Sequence, residues 1–136
     1  MKKQLLIASD HNGKKLKDII INKFKNQFYF IDFGNYEDKE KVDYTDFAKQ
    51  VAINISKNPD LYKGILICGT GAGMSIASNK YKNIRSILAH NNLTAEMSRR
   101  HNNTNIICLS SWVNTNLQNI NILKIWLSSK FDAGRH

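Results

Sequence analysis

A cysteine stands directly in front of a glycine-rich loop, and these residues together could do chemistry. Cys68 follows the apolar run 65–67 and precedes Gly69, Gly71 and Gly73. The pattern predicts a buried strand, a tight loop and a helix N-terminus, which would point several backbone N–H groups at one place. Such groups favour a thiolate and hold an oxyanion that develops beside it. Cys68 is therefore a candidate nucleophile or general base.

Both parts of this motif also have ordinary structural explanations. A glycine loop can be simply a tight turn between a strand and a helix, and a lone cysteine can be an inert buried thiol. Two nucleotide-binding motifs are excluded. The loop lacks the Gly-Lys-Ser/Thr ending of Walker A, and Met74 stands where the dinucleotide pattern needs a glycine. The residues alone leave the ligand of this loop open.

Three other polar segments are candidates for a site. Asp10 and His11 follow the first apolar run, a basic segment at 98–103 contains His101 and Asn102, and Gly-Arg-His stands at 134–136. Their ordinary explanations are a helix cap, a solvated loop and a frayed chain end. No Ser-His-Asp order stands out, and the spacing of the possible ligands does not indicate a metal site.

Strands and helices must alternate to bring these segments together. Short apolar runs predict five strands, at residues 4–9, 28–33, 65–67, 84–89 and 105–109. Apolar residues at helical spacing predict the helices between and after them. These stripes are Leu16, Ile19, Ile20 and Phe24; Phe47, Ala48, Val51, Ala52 and Ile55; Met74, Ile76 and Ala77; and Leu117, Ile120, Leu123 and Leu127. A further short helix is predicted at residues 94–100.

The sequence also predicts the exposed face of the first helix and the start of the second. Lys14, Lys15, Lys17 and Lys23 lie between the apolar positions of the first helix and predict a solvated basic face. Residues 35–42 predict a loop, and the segment 43–45 can cap the second helix.

Strands that are apolar on both faces are typical of a parallel sheet covered by helices on both sides. The sequence therefore predicts an α/β fold with a five-stranded parallel sheet, as one domain over residues 1–136. In such sheets ligands bind at the carboxyl ends of the strands. That rule would gather Asp10, His11, Tyr44, His90 and the segment 68–73.

Composition limits the partners and the compartment. The chain has 136 residues, of which 42% are hydrophobic, and a net charge of +9 that suits an anionic substrate. Its lysines are scattered from Lys2 to Lys130 without aromatic interleaving, so nucleic-acid binding is not favoured. No apolar run reaches the ~18 residues of a membrane span, and the N-terminal run is too short for a signal peptide. We expect a cytoplasmic protein whose two cysteines, Cys68 and Cys108, form no disulfide.

The motifs, taken in order, match a known family. Asp10-His11, the stretch GILICGTGAGMSIASNK at 64–80, S-R-x-H-N-N-x-N at 98–105 and the final Gly-Arg-His resemble the type B ribose-5-phosphate isomerases, which are grouped with the galactose-6-phosphate isomerase subunits. The resemblance covers nearly the whole chain. It implies a Rossmann-like three-layer αβα sandwich and a reaction between an aldose phosphate and a ketose phosphate. It also implies no metal or organic cofactor, and a homodimer or dimer of dimers whose active sites are built from both subunits.

The resemblance also implies a role for each matching residue. Cys68 is the base that moves a proton between C1 and C2 through a cis-enediolate, with Thr70 beside it. His101 opens the sugar ring from across the dimer interface. The resemblance further implies that the N–H groups of Gly69, Gly71, Ala72 and Gly73 hold the enediolate. Asp10 and Asn102 would bind sugar oxygens, and Tyr44 would contact the substrate. The phosphate would be bound by His11, Arg135 and His136.

Two departures from the family pattern keep the substrate open, and a third, at Ser9, is expected to be harmless. Ser110-Ser111-Trp112 replaces a G-x-R pattern whose arginine binds phosphate, the sequence stops at His136 where the family continues to another arginine, and Ser9 stands where a small residue or a cysteine is common. Losing one charged hydrogen bond would weaken binding ~10–100-fold. The alternatives are a six-carbon substrate such as galactose 6-phosphate or allose 6-phosphate, and a non-catalytic sugar-phosphate-binding protein.

Overall fold

The computed structural model describes residues 2–34 and 44–134, without the side chain of Tyr44. Five strands form one sheet: β1 (Lys3–Ser9), β2 (Phe28–Asp32), β3 (Tyr62–Cys68), β4 (Ser86–Leu88) and β5 (Ile106–Ser110). The helices are α1 (Lys14–Phe24), α2 (Tyr44–Lys57), α3 (Ala72–Ser78), α4 (Asn92–Asn102) and α5 (Asn116–Ser128), with a short 3-10 turn at His11–Gly13. No helix among these residues is long and apolar enough to cross a membrane.

All strand pairs are parallel, and the order across the sheet is β2-β1-β3-β5-β4. The predicted α/β class and the five-stranded parallel sheet are confirmed. The order has one consequence for the candidate site. Because β5 lies next to β3, the ends of these strands meet, with Cys68 opposite Ser110.

Alternating side chains of the strands bury two separate helix layers, which completes the three-layer sandwich. Leu5 and Ile7 of β1 pack with α1, α4 and α5 on one face of the sheet. Leu6 and Ala8 pack with α2 and α3 on the other face, and Cys68 points to that second face.

Two helical predictions are corrected by the structure. Lys17 does not belong to a solvated face, since it is only 3% exposed and its Nζ donates to Asp32 Oδ1 at 2.9 Å. The lysine stem packs inside while its charge meets the carboxylate at the end of β2. Leu117 does not belong to the buried stripe of α5, because it lies in the first turn and is 71% exposed.

The structure does not show the ordinary alternative for the basic segment at 98–103, a solvated loop, and the helix predicted at 94–100 is longer than predicted. Helix α4 continues to Asn102, and the segment therefore forms its last turn. Arg99 is buried there, donates to Asn103 Oδ1 and to the carbonyl of Thr104, and lies 6.0 Å from the ring centroid of Trp126.

Candidate active site

The cysteine loop, residues 68–73, connects β3 to α3 at the carboxyl edge of the sheet. Cys68 is the last residue of β3 and is 6% exposed. The backbone N–H of Gly71 donates to its Sγ at 3.1 Å. A donor aimed at the sulfur stabilises negative charge there. The thiol and the glycine loop thus form one unit, as the sequence predicted.

Gly71 makes the sharp turn of this loop possible. It caps α3 with φ +83°, in the left-handed region that favours glycine, and a Cβ atom there would collide with Leu88. The next residue, Ala72, donates its N–H to Thr70 Oγ1 at 3.2 Å. The Thr70 side chain therefore braces the loop beside the thiol.

Strand β5 fixes the direction of the remaining loop amides. The backbone N–H of Ser111 donates to the Cys68 carbonyl at 3.0 Å, and that of Trp112 donates to the Gly69 carbonyl at 2.9 Å. The Ser110 hydroxyl adds a second hydrogen bond to the Gly69 carbonyl, at 2.5 Å. Because a trans peptide points its C=O and N–H in opposite directions, the N–H groups of Gly69 and Thr70 point away from β5, toward the side of β1.

No group in the described ranges accepts a hydrogen bond from the N–H of Gly69 or of Thr70. The loop therefore offers two unbonded donors beside Cys68. Such preorganised donors can hold an oxyanion in an acyl-transfer or enolisation reaction.

Asp10 closes the β1 side of the site. Its backbone N–H donates to the carbonyl of Ile67, the residue before Cys68, at 3.1 Å, and its side chain is buried. One carboxylate oxygen accepts the N–H of Gly13 at 3.1 Å, so the residue also caps the 3-10 turn. His11 follows on that turn and is exposed. The two residues thus lie at the same sheet edge as Cys68, as predicted.

His90 and Trp112 are further neighbours of the loop, of which the strand-end rule predicted His90 at this edge but not Trp112. His90 Nε2 lies 3.0 Å from the carbonyl oxygen of Thr70, and a cavity of about 210 Å³ opens beside it. The indole of Trp112 lies over Gly69. The position of His90 after β4 was a signal for it. Trp112 and Ser110 could be found only from the order of the strands.

His101 and Asn102 are not brought to Cys68 within one chain. They end α4, whose 11 residues span about 16 Å from the carboxyl edge to the amino edge of the sheet. The carbonyl of Asn102 accepts a hydrogen bond from Arg85 Nε, beside a cavity of about 310 Å³ at that amino edge. Cys68 lines neither of these two cavities.

The two cysteines differ in character. Cys108 is fully buried on the same face of the sheet as Cys68, with its Sγ 3.2 Å from Ser86 Oγ. Burial raises the pKa of Cys108 to about 12, against a smaller opposite effect of the Ser86 hydrogen bond. Cys108 therefore keeps its proton at neutral pH.

A family model described as Ribose/Galactose Isomerase matches residues 5–136 of the sequence. The chain belongs to this isomerase family. The resemblance drawn from the motifs and the expected enzyme class, an aldose–ketose isomerase, are thereby confirmed.

Members of the ribose/galactose isomerase family resemble the chain along nearly all of its length. It is 46% identical over 134 residues to a probable ribose-5-phosphate isomerase B of Mycoplasma genitalium, covering 97% of this chain and 88% of the relative. It is 41% identical to a putative sugar phosphate isomerase of Bacillus subtilis, covering 98% of this chain and 89% of the relative. A crystal structure of ribose-5-phosphate isomerase B from M. genitalium, with bound ribulose-5-phosphate, matches with a TM-score of 0.95 and 43% identity, covering 100% of this chain and 90% of that one.

Some residues expected from the isomerase family pattern lie outside the described part of the chain. These are the side chain of Tyr44 and the whole of Arg135 and His136. Within the described ranges, no group of three or more His, Cys, Asp or Glu side chains could hold a metal ion.

Proposed function

We propose that this isomerase interconverts ribose 5-phosphate and ribulose 5-phosphate in a single domain spanning residues 1–136. The observation that carries this proposal is the match of the whole chain, at a TM-score of 0.95, to a crystal structure of ribose-5-phosphate isomerase B with bound ribulose-5-phosphate. A cytoplasmic location remains a prediction.

The cysteine loop supports a mechanism of proton transfer next to a carbonyl. The Cys68 thiolate takes the proton from C2 of the open-chain aldose, which gives a cis-enediolate. It then returns the proton to C1 while the hydroxyl proton on O2 passes to O1, so that the carbonyl moves from C1 to C2. The N–H groups of Gly69 and Thr70 stabilise the negative oxygen between the two steps, which is commonly worth several kcal/mol. Gly71 stabilises the thiolate through its N–H contact with Sγ.

The remaining contacts are assigned from the family resemblance. Asp10 and Asn102 bind sugar oxygens, Ala72 and Gly73 add N–H groups to the loop, and Tyr44 contacts the substrate. The phosphate is bound by His11, Arg135 and His136, whose charged hydrogen bonds would also fix its orientation. His101 opens the sugar ring.

We also propose that two chains build each active site as a homodimer. The observation that supports this is the separation of His101 from Cys68 by the length of α4. A site that contains both must take them from different subunits.

The test is an assay of ribose 5-phosphate conversion by the parent protein, Cys68→Ser and the control Cys108→Ser. We expect turnover by the parent and by the control, and a loss of at least about a hundredfold in kcat for Cys68→Ser because its hydroxyl is a far weaker base. An inactive parent, or a Cys68→Ser variant that retains full activity, would contradict the proposal. The same assay on galactose 6-phosphate and allose 6-phosphate tests the six-carbon alternative, and calorimetric binding without turnover would indicate a non-catalytic binding protein.

A further inference from the structure

The peptide between Thr70 and Gly71 connects the thiol of Cys68 to a side chain that follows another strand. Its N–H belongs to Gly71 and donates to Cys68 Sγ at 3.1 Å. Its carbonyl oxygen belongs to Thr70 and lies 3.0 Å from His90 Nε2. Because the C=O and N–H of a trans peptide point in opposite directions, the two contacts lie on opposite sides of one rigid plane. A group that fixes the carbonyl therefore also fixes the donor to the sulfur.

The contact between His90 and Thr70 determines where the imidazole carries its proton. A carbonyl oxygen accepts hydrogen bonds and has no proton to give, so His90 Nε2 is the donor. The neutral ring is then the Nε2–H tautomer, and a charged ring keeps the same donor. A hydrogen bond to the carbonyl also polarises its peptide, which makes the N–H on the other side a stronger donor. His90 thus strengthens the contact of Gly71 with the sulfur as well as orienting it.

Gly71 alone does not hold this peptide in its orientation. Glycine is required at this position, because φ is +83° and a Cβ atom would collide with the side chain of Leu88. Since glycine adopts positive and negative φ about equally well, the peptide before it can rotate at little steric cost. Half a turn would bring the Thr70 carbonyl oxygen to the sulfur in place of the N–H, and that oxygen repels a thiolate. The hydrogen bond from His90 opposes this rotation.

The fold anchors His90 on both sides of its own backbone. Strand β5 lies between β4 and β3, so the imidazole reaches the cysteine loop past the end of β5. The N–H of Ala89 donates to the carbonyl of Cys108 at 3.1 Å. The carbonyl of His90 accepts a hydrogen bond from Asn114 Nδ2 at 2.9 Å. The imidazole therefore extends from a fixed point of the sheet.

We propose that His90 is a positioning residue, which holds the Thr70–Gly71 peptide with its N–H directed at Cys68 and so maintains the reactive form of the thiol. An ordinary cysteine is mostly protonated at neutral pH, and a donor at the sulfur enlarges the fraction that can act as a base. His90 acts through the backbone of the loop. This inference rests on the proposed function, in which the Cys68 thiolate is the base.

The first test compares the kinetics of His90→Leu, His90→Gln and a control, Asn121→Leu. Leucine lacks a donor, whereas the amide of glutamine offers an N–H close to the position of Nε2. Asn121 lines the same cavity as His90 but lies on α5. In His90→Leu, kcat for ribose 5-phosphate at pH 7 should fall about 3–10-fold while KM stays within about twofold. We expect changes of less than about twofold in His90→Gln and in the control.

Two kinetic results would overturn the proposal. One is a His90→Leu variant with the kcat of the parent. The other is an equal loss in His90→Gln and His90→Leu, which would show that the ring matters and its donor does not.

The second test observes the hydrogen bonds by NMR and needs no turnover. In the parent, the ¹⁵N shifts of the His90 ring should show a proton on Nε2. The amide proton of Gly71 should lie upfield in His90→Leu relative to His90→Gln, because its hydrogen bond to the sulfur weakens. Both variants lack the aromatic ring, so ring-current effects do not enter this comparison. A proton on Nδ1 alone in the parent, or equal Gly71 shifts in the two variants, would overturn the inference.

The NMR measurements also separate this inference from the proposed function. If His90→Leu does not fold, the tautomer of His90 in the parent decides. Failure of the proposed function is seen as a parent that does not turn over ribose 5-phosphate while its His90 and Gly71 signals behave as expected.

Discussion

The hydroxyl of Ser110 donates a hydrogen bond to the carbonyl of Gly69, across 2.5 Å, and accepts the N–H of Val113 at 2.8 Å. Ser110 is fully buried and ends the strand beside Cys68. The hydrogen bond fixes the peptide between Gly69 and Thr70, whose N–H is one of the two donors proposed to hold the enediolate.

Ser110→Ala should therefore affect the reaction more than the binding of substrate. Removing the hydroxyl leaves the Gly69 carbonyl with its hydrogen bond from the N–H of Trp112, so the peptide is held less firmly. This weakens an interaction made in the transition state, so kcat should fall about 3–10-fold while KM changes less than about twofold. The free energy of unfolding should fall by about 0.5–1.5 kcal/mol. Steady-state kinetics and urea denaturation measure both effects.

Ser128→Ala is the matched control for this variant. Its hydroxyl also donates to a backbone carbonyl, that of Ile125 at 3.1 Å, but at the end of α5. We expect unchanged kinetics for this control. Equal kcat values for Ser110→Ala and the parent would show that the hydroxyl does not position the loop.

The sequence predicted those parts of the site that follow from the alternation of strands and helices alone. Five strand–helix repeats predict a parallel sheet, and its carboxyl edge then gathers Asp10, His11 and Cys68. The neighbours of the loop needed more information. Ser110 meets Cys68 because β5 inserts between β3 and β4, an order that is set by packing of the whole fold and leaves no local pattern.

His101 could not be assigned to the site from the order of strands and helices. The strand-end rule does not include it, and the structure places it at the far edge of the sheet from Cys68. Only the family resemblance assigns it to the site. A single sequence contains no spacing pattern for residues that meet across a subunit interface, because the contact is absent from the individual chain.

Lys17 and Asp32 form an ion pair, and removing the charge of one partner should lower the free energy of unfolding by a different amount than removing the charge of the other. The lysine side chain is 4% exposed, and the aspartate is 39% exposed and also accepts the N–H of Gly34 at 2.7 Å. Asp32→Asn leaves a buried ammonium without its counter-charge and should cost about 1–3 kcal/mol. Lys17→Met keeps the buried stem and leaves a carboxylate that water can reach, so it should cost less than about 1 kcal/mol.

A double-mutant cycle measured by urea denaturation checks this asymmetry. Lys17→Met combined with Asp32→Asn should be more stable than Asp32→Asn alone, because the uncompensated charge is gone. Additive losses, or a larger loss for Lys17→Met than for Asp32→Asn, would contradict the prediction.

Cys108 should make the protein less stable in alkaline solution. Its pKa rises from an ordinary value of 9.0 to about 12 because it is buried. Between these values the unfolded chain releases the thiol proton while the folded protein keeps it. The free energy of unfolding therefore falls as pH rises from about 9 toward 12, by at most about 1.4 kcal/mol per pH unit. The stabilisation is fully present below pH 9.

Cys108→Ser removes this titration and leaves the lysines and tyrosines unchanged. We expect the parent to lose about 1 kcal/mol more than the variant between pH 7.5 and pH 10, in urea denaturation under reducing conditions. Parallel stability profiles of the two proteins would show that Cys108 does not retain its proton.

Two inactive variants should restore activity when they share a dimer. In one chain, His101 and Cys68 lie at opposite edges of the sheet, so the proposed site takes each from a different subunit. Cys68→Ser and His101→Ala each disable both sites of their own homodimer. A heterodimer of the two concentrates both changes in one site and leaves the other intact. Mixing the chains in equal amounts through unfolding and refolding should therefore yield about a quarter of the parent's activity.

Cys68→Ser mixed with Thr70→Ala is the control for this complementation. Both residues lie in the cysteine loop of the same subunit, so every site of such a heterodimer contains one change, and activity should remain at the level of the separate variants. Mass spectrometry of the intact assembly measures the heterodimer fraction. Heterodimers of Cys68→Ser and His101→Ala without restored turnover would show that His101 does not act on the Cys68 of another subunit, and that ring opening depends on a different group.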